Sequence, residues 1–201
     1  MHVYFSNRPF RQIATATIFS TIGDKMYDLA MLTFVSTLLN AQLAIGLVTA
    51  SELIPQLFSS YTGDRADQTH KVARNLIWAD LIRVILYFIV GLLFCSTLEK
   101  WMVLLGIVLL NFLSDFTGSY ACGLWLPLIV KVTGQEDYPQ ASGFNQGISQ
   151  IVGMISQIVT ASLLLVVSYS FLAWTNAANF LFSCLIMLSF LEEAHSSQQR
   201  L

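Results

Sequence analysis

The stretch from residue 138 to residue 191 decides the fold, and it reads YPQASGFNQGISQIVGMISQIVTASLLLVVSYSFLAWTNAANFLFSCLIMLSFL. Over these 54 residues it contains no Asp, Glu, Lys, Arg or His. As a single helix it would be about 80 Å long, whereas the hydrocarbon core of a bilayer is about 30 Å thick. We therefore expect this stretch to cross a membrane twice.

The composition of the whole chain extends this expectation. Of the 201 residues, 55% are hydrophobic and only 11% are charged, and the mean hydropathy is +0.65, values typical of an integral membrane protein. Six spans of about 21 residues would use about 125 residues and leave about 75 for tails and connections, too few for a soluble domain. The formal net charge of −2 argues against a nucleic-acid partner, which would require a basic surface.

The apolar stretches predict an all-α membrane protein with six transmembrane helices. We place these helices at residues 13–39, 43–62, 75–96, 101–124, 141–167 and 169–191. Residues 1–12 then form a polar tail before the first helix, and residues 192–201 form a polar tail after the last one. The connections are short polar turns, apart from a polar loop after helix 2 and a longer amphipathic link from Pro127 to Pro139.

The distribution of Lys and Arg predicts the orientation, because positively charged loops are retained in the cytoplasm. One side of the predicted bundle has Lys100 alone. The other side has seven cations, which are Arg8, Arg11, Arg65, Lys71, Arg74, Lys131 and Arg200. We therefore expect a multi-pass protein of the plasma or inner membrane with both termini in the cytoplasm.

Five acidic residues fall within the predicted spans, and four of them lie near the middle of a span, where a charge costs about 2.5–3.5 kcal/mol. Asp24 and Asp28 lie one turn apart on the same face of helix 1, as residues i and i+4 do. Glu52 lies at the centre of helix 2, and Asp115 lies near the middle of helix 4. Intramembrane acids of this kind line aqueous cavities or form ion pairs. We expect these four to line a central cavity and to bind protons or a cationic substrate.

Two cations within the spans have an acid nearby on the same helix. Lys25 precedes Asp28 by three residues, and Arg83 follows Asp80 at the same spacing, so each pair can meet along one helix face. We expect Lys25, Asp80 and Arg83 to form structural ion pairs within their own helices. Asp24 has no cation three or four residues away, so it either pairs across the bundle or remains protonated.

Polar side chains also recur at helical spacing on two later helices. Asn111 lies one turn before Asp115 on helix 4, and Gln146 and Gln150 lie one turn apart on helix 5. We expect Asn111, Gln146 and Gln150 to line the same cavity. The alternative is hydrogen bonding between helices, which contributes less than about 2 kcal/mol for each bond.

The sequence contains no pattern typical of an enzyme. Intramembrane hydrolysis requires a Ser–His pair or a metal site within the bilayer, whereas His2, His70 and His195 all lie outside the predicted spans. The three cysteines show no Cys-x-x-Cys spacing, so no metal or disulfide framework is predicted. We therefore expect neither an enzyme nor a bound cofactor.

The connection between the second and third predicted helices carries a more specific pattern. It reads Gly63-Asp64-Arg65-Ala66-Asp67-Gln68-Thr69-His70-Lys71, which resembles the Gly-x-x-x-Asp-Arg-x-Gly-Arg-Lys signature of the major facilitator superfamily. Gly63, Asp67 and Lys71 are in register with that signature, whereas Gln68 and His70 depart from it. Neighbouring motifs resemble the drug and macrolide exporter branch, and these are Ser20-x-x-Gly23-Asp24, Glu52-Leu53-Ile54-Pro55, Ala79-Asp80-Leu81-Ile82-Arg83, Leu126-Pro127-x-x-Val130 and Pro139-Gln140-Ala141-Ser142.

This resemblance covers essentially the whole chain and implies one six-helix half of a twelve-helix transporter that works by alternating access. It implies export of small amphipathic compounds or drugs in exchange for protons, driven by the proton gradient. Gly63, Asp67 and Lys71 are implied to form a cytoplasmic gate loop that latches the two halves. The expected partners are membrane lipid, an amphipathic substrate, and a second six-helix half or a second copy of the chain.

A hypothesis of a different class remains open. The chain could be a non-transporting membrane remnant or scaffold that arose by truncation of a twelve-helix transporter. The two hypotheses differ in a measurable way, because only a transporter half moves a substrate across a vesicle membrane when its missing half is supplied.

Overall fold

The computed structural model describes residues 4–5, 7–58, 68–69 and 71–198, with side chains described as far as Glu192, and the regular structure in this part of the chain is helical throughout. The prediction of an all-α chain is confirmed for these residues. The helices are α1 (Arg8–Ser36), α2 (Ala41–Leu57), α3 (Val72–Cys95), α4 (Lys100–Leu163) and α5 (Tyr169–Gln198). Three of them are long and apolar enough to cross a membrane by length and composition, namely α3, α4 and α5 as far as Glu192.

The first helix begins at Arg8, five residues before the predicted start, because its first turn is capped. Asn7 Oδ1 accepts a hydrogen bond from the Phe10 backbone N–H at 3.0 Å, which satisfies one of the free amides at the helix start. Pro9 lies in the same turn, where its missing N–H is not needed. At the other end, Asn40 adopts a left-handed conformation with φ 63° and leads directly into α2.

Residues 100–163 form one helical element that is broken only at Gly134. The Gly134 dihedral angles, φ 78° and ψ 168°, lie far from helical values and in a region that glycine adopts most readily. The break divides α4 into a first arm, residues 100–133, and a second arm, residues 135–163. A straight helix of this length would extend about 96 Å, far beyond the other helices of the bundle.

The two arms pack on α1 in opposite directions. Along the second arm, the Phe144 ring lies 6.3 Å from the ring of Phe10, and a Cβ at Gly153 would lie 3.4 Å from Lys25 Cγ, so this arm runs parallel to α1. The first arm ends beside the start of α1, where Asn7 Nδ2 donates to the Val132 carbonyl at 3.0 Å. The chain therefore turns back on itself around Gly134.

The sequence predicted that a link from Pro127 to Pro139 separates two helices, and this prediction is wrong. All residues of this link are helical except Gly134. Pro127 and Pro139 both lie inside the helical element, because a helix long and apolar enough to cross a membrane tolerates interior proline where neighbouring groups satisfy the freed backbone atoms. The reversal therefore occurs at Gly134, the one residue of α4 that has a positive φ.

Buried side chains form two large apolar clusters, separated along the helix axes. Their members on α1, α3 and the first arm of α4 fall within residues 10–16, 73–79 and 121–129 for the first cluster and within residues 27–35, 87–90 and 103–107 for the second. Asp24 on α1 and Arg83 on α3 lie between these stretches. The charged side chains therefore occupy a layer between two apolar ends of the bundle.

The contact between α3 and α5 depends on Gly91, because a Cβ at this position would overlap the indole ring of Trp174. We expect Gly91→Ala to destabilise the fold by about 1–3 kcal/mol, the usual cost of overpacking. The control is Gly46→Ala on α2, where no atom lies within 4 Å of the added carbon and where alanine favours the helix by up to about 1 kcal/mol. Thermal unfolding in mild detergent compares the two variants, and equal midpoints would contradict the close α3–α5 contact.

Candidate functional site

A polar cavity of ≈ 390 Å³ lies in the charged layer between the two apolar clusters. Four helices supply its walls, and six of the lining side chains are of charged residue types. These are Asp24, Lys25 and Asp28 from α1, Glu52 from α2, Arg83 from α3 and Asp115 from α4. The structure thus brings together all four acids that the sequence predicted for a central cavity, along with two cations.

Arg83 is the most fully enclosed charge of this cavity. Its Nη2 atom donates to both carboxylate oxygens of Asp24, at 2.9 and 3.1 Å, and its Nε donates to Ser114 Oγ at 3.1 Å. The guanidinium carbon lies 3.9 Å from the centre of the Phe180 ring, within the range of a cation–π contact. Groups from α1, α4 and α5 therefore fix one side chain of α3.

The backbone of α4 lies close to this guanidinium at Gly118. A Cβ at Gly118 would lie 3.4 Å from Arg83 Cζ, in van der Waals contact with it. The Arg83 side chain is only 10% exposed, while that of Asp24 is 31% exposed. The ion pair is thus buried at its cationic end and reaches the cavity at its carboxylate.

The predicted pairing of Arg83 with Asp80 is wrong. Asp80 is buried and accepts a hydrogen bond from Ser183 Oγ on α5 at 2.7 Å, while Arg83 pairs with Asp24 on α1. Residues three apart on a helix differ by about 60° around its axis. This difference is enough for Asp80 to face α5 while the longer Arg83 side chain reaches α1.

Lys25 and Asp28 form the ion pair expected from their spacing. Lys25 Nζ lies 3.0 Å from Asp28 Oδ2, and the two side chains are 43% and 34% exposed. The Lys25 stem lies against the backbone of α4 at Gly153. This pair is more open than the Asp24–Arg83 pair and lies on the cavity surface.

The other two acids of the cavity have no cationic partner among the described residues. Asp115 Oδ2 accepts a hydrogen bond from Asn111 Nδ2 at 2.9 Å, and Asn111 is itself buried. Glu52 forms neither a hydrogen bond nor an ion pair within the described part of the chain. With one cation paired to Asp24 and the other to Asp28, Glu52 and Asp115 are the groups free to take up a proton or a cation.

Similarity assigns no role to this cavity. Comparisons with protein-family models, with curated proteins and with solved structures found no match to this chain. No group of three or more His, Cys, Asp or Glu side chains that could hold a metal ion occurs in the described ranges.

Three of the predicted cavity residues do not line the polar cavity. Asn111 is buried and donates a hydrogen bond to Asp115, which does line it. Gln146 and Gln150 are exposed on the second arm of α4 and do not line the polar cavity. Of the predicted gate loop, Gly63 and Asp67 lie outside the described residues, and Lys71 immediately precedes α3 and lines a different cavity. The helical spacing of these two glutamines therefore did not predict the direction in which their side chains point.

Sequence reasoning also missed several residues that line the cavity or support it. Gln56 lines the cavity one turn after Glu52 on the same face of α2, so its helical spacing could have identified it. Ser114 and Phe180 hold Arg83 in place. Neither gives a signal in the sequence, because a serine and a phenylalanine are ordinary residues of membrane helices.

Proposed function

We propose that this chain is one six-helix half of a transporter of the major facilitator type. It exports small amphipathic compounds, cations among them, in exchange for protons. The observation that carries the proposal is the polar cavity of ≈ 390 Å³, which gathers four carboxylates and two cations between two apolar clusters. Charges within a membrane are costly, and those that occur there usually line a substrate or ion pathway or take part in proton transfer.

The lengths of the helical segments support six membrane spans. At about 1.5 Å per residue, α1 extends about 43 Å and the two arms of α4 about 50 and 43 Å, each more than the roughly 30 Å of a bilayer core. The 17 described residues of α2 extend about 26 Å. The outward face of α3 is apolar, with Trp78, Ile82, Ile85 and Phe88 exposed, as a helix in contact with lipid requires.

The charge balance of the cavity divides its acids into two roles. Asp24 holds Arg83 and Asp28 holds Lys25, so these pairs shape the cavity. Glu52 and Asp115 have no cation of their own within the described residues. In the proposed cycle, a cationic substrate displaces a proton from these two carboxylates, and the proton displaces the substrate when the cavity opens to the other side.

Several residues of the cavity are exposed, which supports a second wall, meaning a further group of helices that covers the cavity. Gln56 and Cys122 line it and are exposed, and the Lys25–Asp28 pair is also partly open. A charged surface facing lipid would be costly. We therefore include in the proposal a second six-helix half, or a second copy of this chain, that covers the cavity.

The proposed topology places both termini and the Gly134 turn in the cytoplasm. In a cysteine-free background, His70→Cys and Gln135→Cys should react with a membrane-impermeant maleimide only from the cytoplasmic side, while Leu98→Cys should react only from outside. Right-side-out and inside-out vesicles provide the two measurements. Labelling of Gln135→Cys from outside would contradict the proposed orientation.

Transport in vesicles tests the proposal itself. Vesicles are prepared from cells that express this chain, alone or together with a C-terminal six-helix half of the same family, and insertion is verified by immunoblot. We expect efflux of a lipophilic cation that depends on the proton gradient when the second wall is present. No transport under either condition would favour the non-transporting remnant or scaffold.

A further inference from the structure

A second and larger cavity, of ≈ 700 Å³, lies outside the charged layer. Its walls come from the start of α1, the start of α3, the first arm of α4 shortly before Gly134, and residues 190–191 of α5. Three cations line it, Lys71, Arg74 and Lys131, with no Asp or Glu among the lining residues. The rest of the wall is apolar, including Leu128 and Phe190.

The three cations of this basic cavity have no ion-pair partner among the residues that the structure describes. Lys71, Arg74 and Lys131 are exposed, and none forms an ion pair with a described residue. Like charges that share a cavity repel one another, so an anion placed between them would be stabilised by all three. The cavity is therefore complementary to a negatively charged group.

The start of α3 adds to this positive potential. Lys71 precedes the helix without forming a side-chain cap, and the first turn contains no acidic residue. Unsatisfied N–H groups and the helix dipole make such a terminus attractive to anions. Val72, Ala73 and Arg74, which carry the first-turn amides, all line the basic cavity.

The walls of this cavity are held by contacts between helices. Asn7, just before α1, donates to the Val132 carbonyl at 3.0 Å. On α3, Asn75 Nδ2 donates to Tyr120 Oη on α4 at 2.8 Å. The basic cavity is thus a formed feature of the fold.

We propose that the basic cavity binds one anionic phospholipid. The phosphate of the headgroup lies among Lys71, Arg74 and Lys131, and an acyl chain follows the apolar wall at Leu128 and Phe190. Basic pockets between membrane helices favour anionic headgroups, while the apolar wall adds a contribution that free phosphate cannot gain. The site is separate from the polar cavity and does not depend on the proposed transport.

Native mass spectrometry of the full chain, released from lipid nanodiscs, tests this site. The nanodiscs contain phosphatidylcholine alone or phosphatidylcholine mixed with phosphatidylglycerol. We expect the wild-type chain to retain one phosphatidylglycerol in preference to phosphatidylcholine. Each of Lys71→Gln, Arg74→Gln and Lys131→Gln should lower this retention by about fivefold, the usual contribution of one cation near an anionic surface.

Two controls separate this site from general attraction of anionic lipid to a basic protein. Lys100→Gln removes an exposed cation outside the basic cavity and should leave retention unchanged. Val132→Phe fills the cavity without changing its charge and should lower retention. If Lys100→Gln reduces retention as much as Arg74→Gln, or if the three cavity variants retain phosphatidylglycerol like the wild type, the proposal is overturned.

A competition experiment identifies the source of the phosphate. Excess inorganic phosphate should not displace the bound phosphatidylglycerol, because it gains nothing from the apolar wall. Displacement at concentrations that leave other lipid adducts intact would show that the cavity recognises free phosphate, and it would overturn the assignment to a phospholipid.

Discussion

Asn in place of Asp24 is expected to destabilise the folded chain by about 3–5 kcal/mol, the usual cost of breaking a buried ion pair from one side. The reason is Arg83, whose side chain is only 10% exposed and whose charge is neutralised by both oxygens of Asp24. Asn retains one acceptor oxygen for Arg83 but supplies neither the second acceptor nor the negative charge. Thermal and denaturant unfolding in mild detergent measures the loss.

Two further variants make this result specific. In Asp24→Asn/Arg83→Met the unpaired charge is gone as well, so the double variant should be more stable than Asp24→Asn alone. Asp80→Asn removes the acid that the sequence paired with Arg83, yet it should cost only about 0.5–1.5 kcal/mol, because Asp80 accepts one hydrogen bond from Ser183. A larger loss for Asp80→Asn than for Asp24→Asn would mean that Asp80 balances Arg83 after all.

The variant Glu52→Gln/Asp115→Asn is expected to lose binding of a lipophilic cation while retaining its fold. A cation about 4 Å from a carboxylate gains about 4 kcal/mol at an effective dielectric of about 20, and solvent in an open cavity reduces this gain. We therefore expect at least a tenfold weaker affinity for tetraphenylphosphonium, on the order of 1.4 kcal/mol. Equilibrium dialysis of purified protein, corrected for detergent partitioning, measures it.

The matched control for this variant uses the glutamines that the sequence assigned to the same site. Gln146→Ala/Gln150→Ala also removes two polar side chains, but both are exposed outside the polar cavity. We expect it to bind tetraphenylphosphonium like the wild type. Equal losses in the two double variants would place the cation on the surface of α4 instead of between Glu52 and Asp115.

The sequence was sufficient to predict which acids share the polar cavity. An acid within an apolar helix requires a polar surrounding. The four acids near the middle of their predicted helices share one cavity, whereas Asp80, nearer the start of α3, is buried against Ser183. Their partners were less predictable. No cation lies three or four residues from Asp24 on α1, which indicated that Asp24 either pairs across the bundle or stays protonated, but Arg83 was assigned to Asp80, since helical spacing ignores the reach of a long side chain.

The sequence also did not predict the path of the chain between the fourth and fifth predicted helices. The two prolines and the charged residues near them indicated a long link, whereas the helix continues through them and is broken only at Gly134. The deciding quantity is the φ of a single glycine, which composition does not encode. For the same reason, the direction in which Gln146 and Gln150 point could not be derived from their spacing.

The proposed exchange of a proton for a cation at Glu52 and Asp115 has one most direct test, the pH dependence of tetraphenylphosphonium binding to the purified chain. If the cation and the proton share these carboxylates, affinity falls as the solution is acidified, with roughly one proton released for each cation bound. The release should vanish in Glu52→Gln/Asp115→Asn. Cation binding that is independent of pH, or proton release that persists in that variant, would contradict the proposed exchange.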